Sequence, residues 1–220
     1  MDYEFISKTD LFGGITPQET QAMLQCLQSY TKCYEKNEMI YGAGTTASAM
    51  GLVLSGGVRI EQTDVWGNQN IFSTAGPGQV FAETYACVPG EVLMVDVVAA
   101  MDCEILFLNT AKVLKTCPSA CQFHSRLVQN LLAVMASKNL NLTRKISHIS
   151  QKSIRGRLLS YLSSQALRQG TSSFQIPFNR QQLADYLCVD RSALSAELGK
   201  MRDEGLLEFH KNLFTLKIEM

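Results

Sequence analysis

The sequence predicts an α+β protein built from three successive parts, and three patterns carry that prediction. Short β-forming runs interrupted by glycine fill residues 36–108, and a long helix with heptad spacing follows over residues 119–150. Two short helices and a hairpin pattern close the chain over residues 179–218. We therefore predict three segments with the bounds 1–118, 119–150 and 151–220.

Composition and charge narrow the class of protein. Of 220 residues 46% are apolar, and 20 basic side chains balance 20 acidic ones. Residues 151–220 carry ten basic against seven acidic side chains, a mildly basic end that suits phosphate contacts. The amino terminus carries no recognisable secretory signal, and no apolar run approaches the roughly twenty residues that span a bilayer. The seven cysteines, an odd number, suit a reducing compartment, so we expect a cytoplasmic protein without membrane contact.

The first predicted helix lies within residues 16–30. Thr16 is placed to cap it, Pro17 occupies the first helical position, and Glu19 completes a capping box. The apolar stripe of this helix consists of Met23, Leu24 and Leu27.

The β region is predicted as a series of short strands. Residues 51–55 and 58–61 flank Gly56-Gly57, and residues 92–99 and 103–108 close the series. Further turns are predicted at residues 66–68 and at Pro77-Gly78. Many short strands separated by glycine turns indicate a jelly roll or sandwich.

The long helix carries two apolar stripes. One alternates steps of four and three and has Asn139 as its polar position, as in a two-stranded coiled coil. The second stripe, Leu127, Leu131 and Val134, is expected to pack on the β region. One β domain covers one stripe, which favours a dimer seam over a helix buried within one chain. The predicted dimer interface consists of Val128, Leu132, Met135, Asn139, Leu142, Ile146 and Ile149.

The carboxyl-terminal segment predicts two helices joined by a tight turn. Asn179 and Gln182 form a capping box for the first helix, and Asp190 caps the second. The second helix buries Leu194, Leu198 and Met201, and its outer side carries small or hydrogen-bonding residues, namely Arg191, Ser192, Ser195 and Ala196.

A hairpin is predicted after these two helices. Gly205 ends the second helix, and residues 206–218 alternate around a turn at Lys211-Asn212. This order describes a winged helix-turn-helix, whose second helix enters the major groove of DNA. The alternative is an ordinary helical subdomain with a solvated face.

Four segments together resemble the catabolite activator protein/FNR (CRP/FNR) family of bacterial transcription regulators. They are GLVLSGGVRI over 51–60, PGQVFAE over 77–83, CEILFL over 103–108 and the helix-turn-helix. The resemblance covers nearly the whole chain and implies a cyclic-nucleotide-binding-like β jelly roll, a dimerisation helix and a winged helix-turn-helix. It also implies a homodimer, a palindromic operator of double-stranded DNA, contact with RNA polymerase, and a small effector held in the roll.

The effector implied by the resemblance is not cyclic AMP in the usual pose. Members that bind cyclic AMP have a Gly-Glu and an Arg-Ser in the phosphate loop, where this chain has Ala82-Glu83 and Leu93-Met94. No basic residue lies between Arg59 and Lys112, so a buried phosphate would remain unpaired. The effector's identity is open, and a ligand of modest polarity is expected. Its predicted lining is Glu83, Leu93, Met94 and Thr143.

The resemblance carries over only in part to the DNA-reading helix. Members commonly read bases with an Arg, a Glu and a second Arg, and this chain matches the first with Arg191. The other two positions hold Ser192 and Ala196, so we expect an operator unlike that of the founding member. The predicted DNA contacts are Arg180, Gln181, Arg191, Ser192, Ser195, Ala196, Lys200 and Lys211.

The sequence gives less support to a metal cluster, an enzyme or a redox sensor. An iron–sulfur cluster requires a cysteine-dense amino-terminal extension, and an oxidase roll of the cupin type requires histidines on its strands. We predict neither a metal site nor an enzyme, and the cofactor is left unknown. Cys117 and Cys121, one helical turn apart, are either structural or a redox pair. The alternative function is an effector-binding or redox-sensing module that acts on a protein partner without binding DNA.

Overall fold

The computed structural model describes residues 1–63, 69–115 and 122–217 and divides into two compact units. The units are Met1–Ser137 and Lys138–Met220, so the division falls within the long helix. The sequence placed its boundaries at residues 118 and 150 instead, and that three-part division stays a prediction. None of the helices in the described ranges is long and apolar enough to cross a membrane.

The first unit opens with short helices. The Thr16 hydroxyl accepts a hydrogen bond from the amide of Glu19 at 3.3 Å, and the Glu19 carboxylate accepts one from the amide of Thr16 at 2.8 Å. The predicted capping box is therefore confirmed, and it starts the helix at Pro17. These elements are α1 (Tyr3–Ser7), a 3-10 helix (Asp10–Phe12) and α2 (Pro17–Cys26).

An antiparallel sheet forms the centre of the first unit. Its main path runs β1-β6-β3-β4, while β2 also pairs with β6 and β5 with β3. Two short helices, α3 (Glu83–Cys87) and α4 (Thr110–Leu114), follow β5 and β6. The strands are β1 (Tyr30–Tyr34), β2 (Met39–Tyr41), β3 (Ala49–Thr63), β4 (Gln69–Ala75), β5 (Val80–Phe81) and β6 (Asp96–Asn109).

Two predicted strand breaks are wrong. Gly56 does not separate two strands, because β3 runs unbroken through it with irregular register between Ser55 and Val58. Gly56 has φ 74°, and a Cβ there would lie 2.2 Å from the carbonyl oxygen of Asp102. Glycine at this position therefore forms a bulge rather than a turn. Likewise β6 is continuous from Asp96, and residue 92 forms only an isolated bridge.

The unit contains two apolar clusters. Within the first, Leu127 and Leu131 of α5 (Gln122–Ile149) are buried with Met50 and Leu106 of the sheet and with residues of the helical start. This confirms the stripe predicted to pack on the β domain. The second cluster fills the space between the strands and includes Tyr34, Val58, Phe81, Leu93 and Phe107.

The second unit packs three helices on a small sheet. Its core contains Tyr161, Leu183, Leu198 and Phe214. The strands pair antiparallel in the order β7-β9-β8. The elements are α6 (Ile154–Gln169), β7 (Ser173–Gln175), α7 (Arg180–Leu187), α8 (Arg191–Asp203), β8 (Leu207–His210) and β9 (Leu213–Leu216). The predicted hairpin is confirmed.

Candidate nucleic-acid interface

Side-chain caps fix the two helices of the candidate interface. Asn179 Oδ1 accepts from the Gln182 amide and Gln182 Oε1 accepts from the Asn179 amide, both at 2.9 Å, so the predicted capping box is confirmed. Cys188, at φ 53°, ends α7 in the left-handed region. Asp190 Oδ1 then accepts from the Ala193 amide at 2.8 Å and caps α8 as predicted.

The second helix, α8, has the two faces that its sequence predicted. Leu194, Leu198 and Met201 are fully buried against the rest of the unit. The opposite side presents exposed residues, and Gly205, at φ 77°, follows the helix end. We call α8 the recognition helix. Its exposed residues include Arg191, Ser192, Ser195, Ala196 and Lys200.

Two of the predicted DNA contacts already have partners within the chain. The Ser192 hydroxyl donates a short hydrogen bond to Asp190 Oδ1, and this bond and the Ala193 amide lower the pKa of Asp190. The side-chain amide of Gln181 donates to Asp185 at 2.8 Å. Ser192 therefore has to leave the cap before its hydroxyl donates to a base.

Arg180 connects the start of α7 with the hairpin. Its guanidinium lies 5.0 Å from the ring centre of Phe209 and 5.8 Å from that of Phe214. It also donates to the carbonyl of Lys211 at 3.5 Å, and burial lowers the pKa of Arg180. A cleft of about 480 Å³ opens here, lined by Pro177, Asn179, Arg180, Gln182, Lys211 and Asn212. Two cations beside a helix amino terminus suit a phosphate oxygen.

Two arginines of α6 stabilise the helix-turn-helix formed by α7 and α8, and the sequence did not indicate either of them. Arg157 donates through Nη1 to the carbonyls of Leu187 and Cys188, at 3.0 and 2.9 Å, and so secures the turn between the helices. Arg155 binds two carboxylates of the recognition helix. These partners lie 30 to 49 residues away in the chain, so no local spacing indicates them.

The predicted dimer face of α5 is largely open. Leu132 is 69% exposed, and Leu142 and Ile146 are each 61% exposed. Asn139 is also exposed, and its Oδ1 accepts from the Thr143 hydroxyl at 3.5 Å. Three members are half-buried, and two of these pack partly against the first unit's core. The three are Val128, Met135 and Ile149, of which Val128 and Met135 touch the core.

The predicted effector residues differ in their burial and surroundings. Leu93 is buried in the apolar cluster between the strands, while the next residue, Met94, is 68% exposed. Glu83 is buried at the start of α3, directly after Ala82 in the left-handed conformation. Thr143 belongs to the second unit. Cys117, Cys121 and the turn at residues 66–68 lie outside the described residues.

Both halves of the chain match known domain families. Residues 31–119 match the cyclic nucleotide-binding domain, and residues 156–219 match the Crp-like helix-turn-helix domain.

One curated protein and two solved structures place these matches in context. The cyclic AMP receptor protein of Thermus thermophilus is 27% identical over 201 residues, which are 90% of this chain and 87% of that protein. The crystal structure of Thermus thermophilus catabolite activator protein shares 23% identity with a TM-score of 0.51 and covers 95% and 94% of the two chains. CprK complexed with OCPA has 13% identity and a TM-score of 0.62 over 90% and 92%. At these identities the two structures establish likeness of fold.

Proposed function

Because the chain belongs to the CRP/FNR family of transcription regulators, we propose that it binds a palindromic operator as a homodimer. The observation that carries the proposal is the recognition helix, whose inner side is fully buried while Arg191 and Ser195 face outward. Such a helix presents side chains to the major groove from a rigid support. The family is one of regulators rather than enzymes.

Dimerisation is proposed through the open face of α5. Leu132, Leu142 and Ile146 form a row of large exposed apolar side chains, which is costly on a monomer in water. Their heptad spacing matches a two-stranded seam, and an Asn in such a seam favours two strands. A second copy of α5 would cover this row.

DNA contacts are proposed to divide between base reading and phosphate binding. Arg191 has the geometry for a bidentate bond to guanine, and Ser195 and Ala196 are short enough to let the helix approach. Arg180 and Lys211 line the cleft at the start of α7, where they would bind a phosphate. Gln181, Ser192 and Lys200 are proposed as supporting contacts.

The effector is proposed to be a small molecule of modest polarity in the first unit. The Thermus relative is named a cyclic AMP receptor protein, but in this chain Leu93 is buried among apolar residues where the phosphate-binding pair would stand. Arg59 is already bound, with Nε 2.5 Å from Glu61 and Nη1 3.1 Å from Asn37 Oδ1. Glu83, Leu93 and Met94 are the proposed contacts of this ligand within the first unit.

RNA polymerase is the proposed protein partner and the cytoplasm the proposed location, since both follow from the family. A module acting on a protein partner alone predicts no selective DNA binding. A duplex is first enriched by selection of the chain against a pool of random sequences. Fluorescence anisotropy of the purified chain with this enriched duplex and a scrambled control, at two salt concentrations, separates the two functions. We expect tighter, salt-dependent binding to the enriched duplex. Equal affinity for both duplexes would contradict the proposed function.

A further inference from the structure

Arg155 joins the first turn of α6 to two carboxylates of the recognition helix. Its Nε donates to Glu197 at 2.6 Å, and Nη1 and Nη2 donate to Glu204 at 2.8 and 2.7 Å. Glu197 and Glu204 are seven residues apart, so they lie two turns apart on one side of α8. One guanidinium therefore holds both the middle and the end of this helix.

Arg155 and Glu204 each carry a charge that is unfavourable at its own end of a helix, and pairing offsets this. Arg155 is the second residue of α6, where the helix dipole disfavours a cation, and Glu204 is the C-cap of α8, where it disfavours an anion. Their hydrogen bonds offset both penalties, and the bond from Arg155 lowers the pKa of Glu204. Bidentate geometry also fixes direction, which a single lysine contact does not.

Glu197 lies directly after Ala196, the last outward residue in the predicted base-reading set. Its side chain is half-buried, and the bond from Arg155 directs it toward α6. The ion pair Arg202–Asp203, at 3.0 Å, lies within α8 and joins it to no other helix. Among the ion pairs of the described residues, those of Arg155 are the ones that join α8 to another helix.

We propose that Arg155 is a positioning residue for sequence recognition, which sets the rotation of α8 and so the direction of Arg191. The proposal rests on the DNA-binding function proposed above. A bidentate contact from Arg191 to a base needs two aligned hydrogen bonds, whereas phosphate contacts tolerate a shifted helix. We call the bonds of Arg155 to Glu197 and Glu204 the clamp. Its loss should therefore reduce selectivity more than overall DNA affinity.

The first test compares Arg155→Met with Arg168→Met, which removes the same charge from an exposed position of the same helix. Each full-length variant is titrated with the enriched and the scrambled duplex. We expect Arg155→Met to lower the ratio of the two affinities about tenfold. Arg168→Met should weaken both duplexes alike and leave the ratio unchanged. A thermal melt confirms that each variant is folded.

The second test separates positioning from a direct contact of Arg155 with DNA. The double variant Glu197→Gln/Glu204→Gln keeps Arg155 but weakens its bonds, so its ratio should fall in the same direction. Adding Arg155→Met to that background should change the ratio little further, because the three groups act as one unit. A further loss of affinity for both duplexes that exceeds the loss caused by Arg168→Met would instead mean that Arg155 binds phosphate, which overturns the proposal.

The outcomes distinguish failure of the clamp from failure of the DNA-binding function. A wild-type chain that binds both duplexes equally overturns the DNA-binding function and the clamp together. If the wild type is selective and Arg155→Met leaves the ratio of the two affinities unchanged, only the clamp is overturned. Arg155→Lys gives a further check, since one ammonium cannot reproduce the three bonds and should restore only part of the ratio.

Discussion

At the scale of single residues, two arginines of the DNA-binding unit have opposite surroundings. Arg191 is exposed at the start of α8, whereas Arg180 rests on two aromatic rings and donates to the carbonyl of Lys211. A guanidinium that reads bases has to extend into the groove. One stacked at the hairpin is suited to a fixed contact with the backbone of DNA.

Replacing Arg191 with alanine should cost about 1–3 kcal/mol of binding free energy and relax the preference at one base pair per half-site. Arg180→Ala should instead weaken binding to every sequence and reduce the salt dependence, because it removes a phosphate contact. Titrations over a salt series with both variants measure the difference. An unchanged motif for Arg191→Ala and an altered motif for Arg180→Ala would mean that the roles are reversed.

We expect the stability of the second unit to depend on pH through His148. It is buried in the last turn of α5, its Nδ1 lies 2.9 Å from the Ser160 hydroxyl, and its ring meets Tyr161 edge-on. Burial lowers the pKa of His148 from the ordinary 6.5. The rings of His148, Tyr161 and Tyr186 form one aromatic cluster, and the charged groups around it are basic. Lys145 lies over the Tyr186 ring, and Arg144 and Arg168 also act on the two tyrosines.

Below pH 6.5 the unfolded chain therefore binds a proton that the folded imidazole resists. The free energy of unfolding should fall as the pH drops from 6.5 toward the folded pKa, and this group adds no dependence above 6.5. Urea unfolding across that range should show a smaller decrease for His148→Gln than for the wild type. Equal slopes in the two proteins would show that His148 does not titrate as described.

At the scale of elements, α5 carries the proposal of a dimer. Leu142→Asp places a charge in the seam and should weaken dimerisation by several kcal/mol. Leu140→Asp is the matched control, since Leu140 is 54% exposed on the same helix but lies outside the seam. Sedimentation at micromolar concentration should find Leu140→Asp dimeric and Leu142→Asp monomeric. A dimeric Leu142→Asp would mean that the seam is misassigned.

The elements that sequence predicts well are those with local signals. Helix starts at Thr16, Asn179 and Asp190 depend on residues three apart, so the caps were predictable. The strand break predicted at Gly56 was wrong because a glycine bulge and a glycine turn have the same composition. Only the pairing of β3 with β6 distinguishes them. Arg155 was missed because its partners are distant in the chain.

The predicted effector residues show a second limit of prediction from sequence. Leu93 is buried, whereas Met94 lies in a bend and is exposed, although the resemblance assigns both to the phosphate-binding loop. A resemblance in sequence matches positions and does not show on which side of the chain each residue lies.

At the scale of the whole molecule, we propose that the effector is not cyclic AMP. Calorimetric titration of the full chain with cyclic AMP should give no micromolar binding, because no basic residue between Arg59 and Lys112 is available to a buried phosphate. The thermal midpoint should likewise be unchanged by the nucleotide. A micromolar or tighter dissociation constant, with a raised midpoint, would reverse this conclusion.

Selection of the wild-type chain against a pool of random duplexes tests palindrome recognition by a dimer. Two recognition helices related by a dimer axis should enrich an inverted repeat whose half-sites lie one helical turn of DNA, about 34 Å, apart. Enrichment of that repeat would support both the recognition helix and the α5 dimer. A pool that stays random, or that yields a single unrepeated half-site, would contradict a dimeric regulator reading a palindrome.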